Sequence, residues 1–279
     1  MFFSPRRLGR FDVLLPMSLF SEVPSLREKT LKVGYLARVL ATFRVSHVVF
    51  YADDPDSPDL RNVSFLREVL EYLCTAPYLR RRLYPIKPRL RYAGLLPPLN
   101  IPTHPEGVGD EEHYREGLVI AGGEVSVIEA GLGRPLRVGR RYAGGRRVIL
   151  KVRRRGGRVV FKVVPYDRAG VYYGYRVVVT RRGLGEAVER YSLRIAASRV
   201  GDAVYDVEQS LREGLRGSGR TCVAFGSAER GIEDMLGVDG MRRVFSMVVN
   251  TIPNQGVRTV RTEEALAYTL AILNMLNPG

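Results

Sequence analysis

A short, largely apolar run, Val244-Phe245-Ser246-Met247-Val248-Val249, leads through Asn250-Thr251-Ile252-Pro253-Asn254-Gln255-Gly256-Val257-Arg258-Thr259 into the helix-like segment Thr262 to Asn274. Val, Phe and Met in so short a run suit a strand buried on both faces. Thr262 followed by Glu263 and Glu264 supplies an N-cap and first-turn acids that complement a helix dipole. A strand, a rigid turn and a capped helix in this order make a ligand cradle. Between them Pro253 fixes one backbone angle and Gly256 is expected to take another that side chains forbid, leaving N–H and C=O groups that can meet the edge of a flat polar ligand. A purely structural turn explains the same residues.

The start of the chain has the same character. Arg10 to Leu15 reads as a strand. Pro24-Ser25-Leu26 opens an amphipathic helix with Leu26, Leu31, Leu36, Leu40 and Phe43 at roughly helical spacing, and a strand from Val45 to Tyr51 follows. This is the β-α-β pattern of a parallel sheet. A turn-rich Asp53-Asp54-Pro55-Asp56-Ser57-Pro58 precedes a helix from about Asn62 to Cys74, which Pro77 is expected to close. The far half gives strands at Tyr175 to Thr180, Leu193 to Ala197 and Thr221 to Phe225, with a helix from about Asp202 to Leu215 stopped by Gly217.

The middle is different. Pro97, Pro98, Pro102 and Pro105 mark a linker, and beyond them short alternating strands are split by glycines at 122–123, 131, 133, 144–145 and 156–157. That spacing predicts a small antiparallel β-barrel. The expected organisation is an all-β insert at 100–165 within an α/β domain made of 1–99 and 166–279. The stretch Gly131 to Pro165 carries many Arg and Lys and no Asp or Glu. Over the whole chain 44 Lys plus Arg face 29 Asp plus Glu, a net charge of +15. Such an excess favours a polyanion, with nucleic acid the default, through release of counterions from phosphates. Arg146, Arg147, Lys151, Arg153, Arg154, Arg155 and Arg158 in the insert, and Arg80, Arg81 and Arg82 before it, are the expected nucleic-acid contacts, although a solvated basic face has the same composition. Tyr142, Phe161 and Tyr166 are stacking surfaces or core.

No run approaches the roughly 20 apolar residues that span a bilayer, and the start, Met1-Phe2-Phe3-Ser4-Pro5-Arg6-Arg7, lacks the apolar region of a secretory signal. A soluble, cytoplasmic protein with no membrane partner is expected. Cys74 and Cys222 have neither metal-ligand spacing nor a disulfide framework, so no metal is expected. His104 and His113 flank the linker as general-base candidates, or as structural histidines.

The Asn250 to Thr259 loop resembles the last knot loop of the SPOUT (α/β-knot) RNA methyltransferases. The chain as a whole is similar to their archaeal and eukaryotic branch of RNA uridine methyltransferases with an OB-like insert. The likeness is carried in order by Phe11-Asp12-Val13-Leu14-Leu15-Pro16, Ala93-Gly94-Leu95-Leu96-Pro97-Pro98-Leu99, Tyr114-Arg115-Glu116-Gly117-Leu118-Val119 and Tyr173-Gly174-Tyr175-Arg176-Val177. It implies a knotted parallel sheet with helices on both faces, interrupted by a small OB-like barrel. It also implies S-adenosylmethionine as cofactor, RNA, in particular ribosomal RNA, as substrate, and a homodimer.

Three loops would hold that cofactor. The first, Ala197-Ser198-Arg199-Val200-Gly201, stands where the family usually has Thr-Ser-Glu-Arg-Gly, so Ser198 and Gly201 match while Arg199 and Val200 depart. The second, Phe225-Gly226-Ser227-Ala228-Glu229-Arg230-Gly231, offers Gly226, Ser227 and Gly231, with Ser227 in place of a family glycine. The third contributes Asn250, Thr251, Ile252, Gln255, Gly256, Val257, Arg258 and Thr259. If ring nitrogen 3 of a uridine is methylated, an arginine can stabilise the anion left when its proton departs. Arg27 and Arg38 on the first helix are the candidates, or simply exposed or phosphate-binding arginines. Two other readings stay open: a non-catalytic RNA-binding or ribosome-assembly factor with the same fold, which the altered first loop favours, and an enzyme acting on another base or on transfer RNA.

Overall fold

The computed structural model describes residues 3–105, 107, 111–227 and 229–279. Ala228 of the second glycine-rich loop, and Met1 and Phe2 of the starting segment, therefore lie outside the described residues. The chain forms two compact units, one of Arg7–Glu71, Tyr92–Leu96 and Tyr175–Gly279, the other of the segment ending at Arg6, Tyr72–Arg91 and Pro97–Gly174.

The first unit is a six-stranded, all-parallel sheet. Its strands are β1 (Arg10–Pro16), β2 (His47–Tyr51), β8 (Arg176–Val179), β9 (Leu193–Ala203), β10 (Arg220–Ala224) and β11 (Met247–Asn250), in the order β11-β9-β10-β1-β2-β8. Alternation puts Leu14, Val49, Ala196, Cys222, Ala224 and Val248 on one face. There they pack with Leu184 and Val188 of α4 (Leu184–Val188), Ile232 of α6 (Ile232–Leu236), Met241 of α7 (Val238–Val244) and Phe245. Val13, Leu15, Val48, Phe50, Ile195 and Val223 on the other face are equally buried. On that face Leu193 lies against Gly214 of α5 (Glu208–Gly217), and α5 and α1 (Leu26–Thr42) both pack on α8 (Thr262–Leu276). Each fully buried Val or Leu contributes ~1.5–3 kcal/mol, so a sheet covered on both sides is the main source of this unit's stability.

Several local expectations shift. β11 is an edge strand beginning at Met247, because α7 runs on to Val244 and Phe245 turns into the core. Pro77 does not end a helix but begins one, α3 (Pro77–Leu83), where its missing N–H costs nothing; α2 (Leu60–Leu73) stops before it. Asp202 lies in β9, not in the following helix, which starts at Glu208. Cys222 is fully buried, and burial together with the Asp12 carboxylate pushes its thiol up to about 12, so it is an inert core residue.

The second unit is built on a five-stranded antiparallel sheet. Its strands are β3 (His113–Ala121), β4 (Ser126–Glu129), β5 (Leu136–Val138), β6 (Arg147–Arg155) and β7 (Arg158–Val164), in the order β5-β4-β3-β6-β7. The sheet curls into a half-barrel, helped by a bulge between Val119 and Ala121, and β5 and β7 are its edges. Tyr142 is core here, with Val119, Ile128, Val148, Leu150 and Val152; Phe161 packs against the same cluster, and Tyr166 stacks edge-on with Tyr173 at 4.9 Å.

Glu116 explains why Tyr72–Arg91 belongs to this unit. Its buried carboxylate accepts from the Ala76 N–H (2.8 Å) and pairs with Arg147, whose guanidinium also donates to the Cys74 carbonyl (3.1 Å). Next to it the Arg115 guanidinium, 1% exposed as a residue, donates to the carbonyls of Ala130, Gly107 and Gly131, and lies over the Tyr78 ring. Gly131 is required at this point: it is left-handed (φ 67°), and a Cβ there would stand 2.4 Å from that ring.

His104 is buried in the same cluster. Burial first, then the charges of Arg80 and Arg147, lower its pKa to about 3; Glu116 at 3.8 Å is beyond hydrogen-bond reach and already paired, so it does not reverse this. His104 is thus neutral and enclosed, unsuited to act as a base. Below pH 6.5 the unfolded chain binds a proton at this residue and the folded chain does not. The associated stability is complete above 6.5 and is lost as pH falls toward 3, at ~1.4 kcal/mol per pH unit. Chemical denaturation at pH 7 and pH 5 is expected to give wild type a loss ~2 kcal/mol larger than that of His104→Leu; equal losses would show that His104 carries no such linkage.

Candidate functional site

A cleft of about 310 Å³ opens beyond the C-terminal ends of β10 and β11 and beside residues 197–199 in the middle of β9, on the side at which open α/β sheets bind ligands. Its size is at the lower bound of ligand pockets, about 300 Å³. The three loops singled out in the sequence meet there. Ser198, Gly226, Ser227, Gly231, Asn250, Thr251, Ile252, Gln255, Arg258 and Thr259 line it; Gly201, Gly256 and Val257 do not, and neither do Arg27 and Arg38, which occupy exposed positions of α1.

Each loop has a local cause. β9 pairs with β11 through Ala196 and Val248, and next through Asp202 and Val249, so residues 197–201 leave the ladder as a long bulge into the cleft. Gly201 lets the bulge rejoin, since a Cβ would lie 2.7 Å from the Val248 carbonyl and the Val249 nitrogen. After β10, the buried Tyr51 hydroxyl donates to the Phe225 carbonyl (2.8 Å); burial raises its pKa well above the usual value, keeping it a neutral donor. Ser227 N–H then donates to the Arg230 carbonyl (2.9 Å), closing a tight turn with room only for glycine at 226. In the third loop the left-handed residue is Asn254 (φ 57°), not Gly256, because an Asn side chain tolerates that conformation. The final helix is capped differently from expectation: the Arg261 N–H donates to Glu264 (3.0 Å), while Thr262 instead donates its hydroxyl to the Gly226 carbonyl (3.0 Å), tying the third loop to the second.

Further ties join the loops. Ser198 donates to Glu233 (3.0 Å), Asn250 donates to the Arg199 carbonyl (3.1 Å), and the Arg199 guanidinium donates to the Arg258 carbonyl (3.3 Å). Arg199, one of the two departures in the first loop, thus bridges the first loop to the third. Glu233 and Asp234 also line the cleft and were not anticipated, because α6 is five residues long, too short for periodicity to reveal. The acids two and three positions after Gly231 were the available signal: Asp234 accepts from the Gly231 N–H (2.7 Å) as a first-turn acid should.

The basic candidates of the other unit divide. Arg80 donates to the carbonyls of Leu73 and Thr75 and lies over Tyr72, Arg147 pairs with Glu116, Arg82 with Glu129 (3.4 Å) and Lys151 with Glu112 (2.5 Å). Arg81, Arg146, Arg153, Arg154, Arg155 and Arg158 are exposed.

The family described as "Putative RNA methyltransferase" matches residues 10–273, nearly the whole chain. This chain belongs to that RNA methyltransferase family. It is 36% identical over 289 residues to an uncharacterised protein of Halobacterium salinarum, covering 95% of this chain and 98% of the relative. It is 33% identical to a second uncharacterised protein, from Haloarcula marismortui, over 95% of this chain and 98% of the relative. It is also 29% identical to the Homo sapiens 28S rRNA (uridine-N(3))-methyltransferase, over 94% of this chain and 77% of the human protein. Among the described residues of the methyltransferase no helix is long and apolar enough to cross a membrane, and no cluster of His, Cys, Asp and Glu has metal-binding geometry.

Proposed function

We propose that this RNA methyltransferase uses S-adenosylmethionine to methylate ring nitrogen 3 of a uridine in ribosomal RNA, and that it works as a homodimer of SPOUT-type knotted chains with an OB-like RNA-binding insert. The observation that carries the reading is the convergence of three loops on one cleft on the C-terminal side of the sheet. The lining suits the cofactor's chemistry. Glu229, Glu233 and Asp234 match hydroxyls and positive charge, Phe225, Ile232, Ile252 and Ala265 offer apolar walls to a purine, and Arg199 and Arg258 match a carboxylate. When bound, S-adenosylmethionine supplies an electrophilic methyl group.

The chain's own part is then mainly positioning, since transfer in line needs two reactants held at contact rather than covalent help. The uridine imide would lose its N3 proton to solvent, the N–C bond would form as the S–C bond breaks and S-adenosylhomocysteine would leave, and a guanidinium near the imide oxygens would stabilise the imide's negative charge. Arg199 and Arg258 are at the cleft. Arg27 and Arg38 remain candidates only if a partner subunit brings its α1 to this cleft.

The test is incubation with methyl-labelled S-adenosylmethionine and ribosomal RNA, followed by mass spectrometry of the nucleosides. N3-methyluridine is expected. Label in another nucleoside would reject the uridine assignment, and RNA binding without label would support the non-catalytic reading.

A further inference from the structure

The end of the parallel sheet away from the cleft carries a cluster of arginines that none of the foregoing uses. Arg10 and Arg220 are register partners on adjacent strands, so two like charges leave the same face from neighbouring backbones ~4.8 Å apart, an unfavourable pairing. Arg194 on the next strand is the register partner of Cys222, and its Nε is buried without a hydrogen-bond partner among the described residues. Arg190 and Arg220 are exposed.

The acid at their centre offsets the charge of Arg10 alone. Asp12 is fully buried, and both its oxygens are engaged: Oδ1 lies 2.9 Å from His47 Nδ1, while Oδ2 accepts from Arg10 Nε (2.7 Å) and the Tyr191 hydroxyl (2.6 Å). The Tyr191 ring has Arg10 at 6.0 Å and Arg190 at 5.3 Å, which holds those cations in place. Complementing helix C-termini does not account for the cluster either, because Arg10, Arg194 and Arg220 belong to strands. Beside Arg220 stand two hydroxyls, Ser192 and Ser218, 2.7 Å apart, both within reach of its backbone N–H at 3.3 and 3.2 Å. That N–H donates to the two hydroxyls, and Ser192 donates its own to the Arg220 carbonyl (3.0 Å), so the donors left to grip phosphate oxygens are the guanidiniums.

We propose that this edge is a second RNA-contacting surface, at which Arg190, Arg194 and Arg220 hold phosphodiesters of the substrate away from the reacting nucleotide. The proposal rests on RNA being the substrate. It predicts that an RNA long enough to extend beyond the cleft gains affinity from this edge.

The experiment measures anisotropy of a fluorescent ribosomal RNA fragment at several salt concentrations, with wild type, Arg190→Ala/Arg220→Ala and Arg190→Lys/Arg220→Lys. Two lost single-strand phosphate contacts should reduce the slope of log affinity against log salt by about 1.4, which at 0.1 M salt is up to about 25-fold in affinity. The Lys pair should restore most of it, since charge is what phosphates read, and S-adenosylhomocysteine binding should be unchanged in all three. An unaltered slope in the Ala pair, with wild type binding RNA, would overturn the edge alone. Wild type that binds S-adenosylhomocysteine but no RNA would overturn it together with the RNA reading. If the Ala pair unfolds, Arg190→Glu, at an exposed loop position, makes the same comparison.

Discussion

Valine in place of Gly226 is expected to lower affinity for S-adenosylhomocysteine by about 100-fold, with a modest fall in melting temperature. A Cβ at this position would lie 2.7 Å from the Arg230 carbonyl oxygen and 2.9 Å from the Gly231 Cα, both backbone atoms that cannot swing aside. The turn from 226 to 231 must therefore open, against the Ser227 N–H to Arg230 carbonyl bond and the Arg230 N–H to Ser227 hydroxyl bond, each 2.9 Å. Overpacking of this kind costs ~1–3 kcal/mol. The larger effect is on the cleft, which this turn walls and to which Thr262 is hydrogen-bonded through the Gly226 carbonyl. A loss of about 2.7 kcal/mol of ligand contact as the turn opens corresponds to a change on the order of 100-fold in affinity. Titration calorimetry beside thermal denaturation reads both quantities, with Gly217→Ala, where nothing stands within 4 Å, as the control. Unchanged affinity in a folded Gly226→Val protein would mean that the turn does not shape the ligand site.

The second large effect is on RNA. In the β6–β7 hairpin Lys151 faces Lys162, Arg153 faces Val160 and Arg155 faces Arg158, so these six side chains share one face, while Arg154 shares the other with Val159. The turn between them, Gly156 and Gly157 with φ of 56° and 73°, is the tight two-residue kind that keeps the strands in register to the tip. The exposed arginines on the cationic face stand two residues apart along the strand, ~6.8 Å, close to the step between phosphates in an extended strand. Replacing Arg153, Arg155 and Arg158 together by Ala should reduce the salt slope of RNA affinity by about 2, which at 0.1 M salt is about 100-fold. Arg154→Ala alone should do far less, and S-adenosylhomocysteine binding should not change. An Arg154 effect as large as any single one of the three would contradict the one-sided arrangement.

Much of this architecture was legible because burial writes periodicity into sequence. Val13, Leu15, Val48 and Phe50 lie in short apolar runs that suit a strand covered on both faces, and α1 begins at Leu26, where Pro24-Ser25-Leu26 reads as a helix start and Ser25 accepts the Glu28 N–H. The three loops that meet at the cleft were singled out through the family likeness of Gly226, Gly231 and the Asn250 segment, not through periodicity. Other parts left no such trace. α6 and α7 are five and seven residues long, shorter than two helical turns, so their apolar positions show no period. The bulge at 197–201 reads as continuing strand or as loop until its partner strand is known. Arg80 and Arg147 look identical in sequence to Arg153 and Arg155, yet the first two are committed to the chain's own carbonyls and to Glu116. That distinction depends on what folds beside them. Likewise Tyr114 to Val119 is a segment of family likeness whose cause emerges only in three dimensions, where Arg115 and Glu116 hold α3 and the strand ends together.

The most direct measurement is calorimetric titration of the folded protein with S-adenosylhomocysteine. Saturable binding at one site per chain, weakened about 100-fold in Gly226→Val and retained when the hairpin arginines are replaced, is the predicted result. A well-folded wild-type protein that takes up no ligand, or one whose binding is indifferent to Gly226, would contradict the assignment of the cleft.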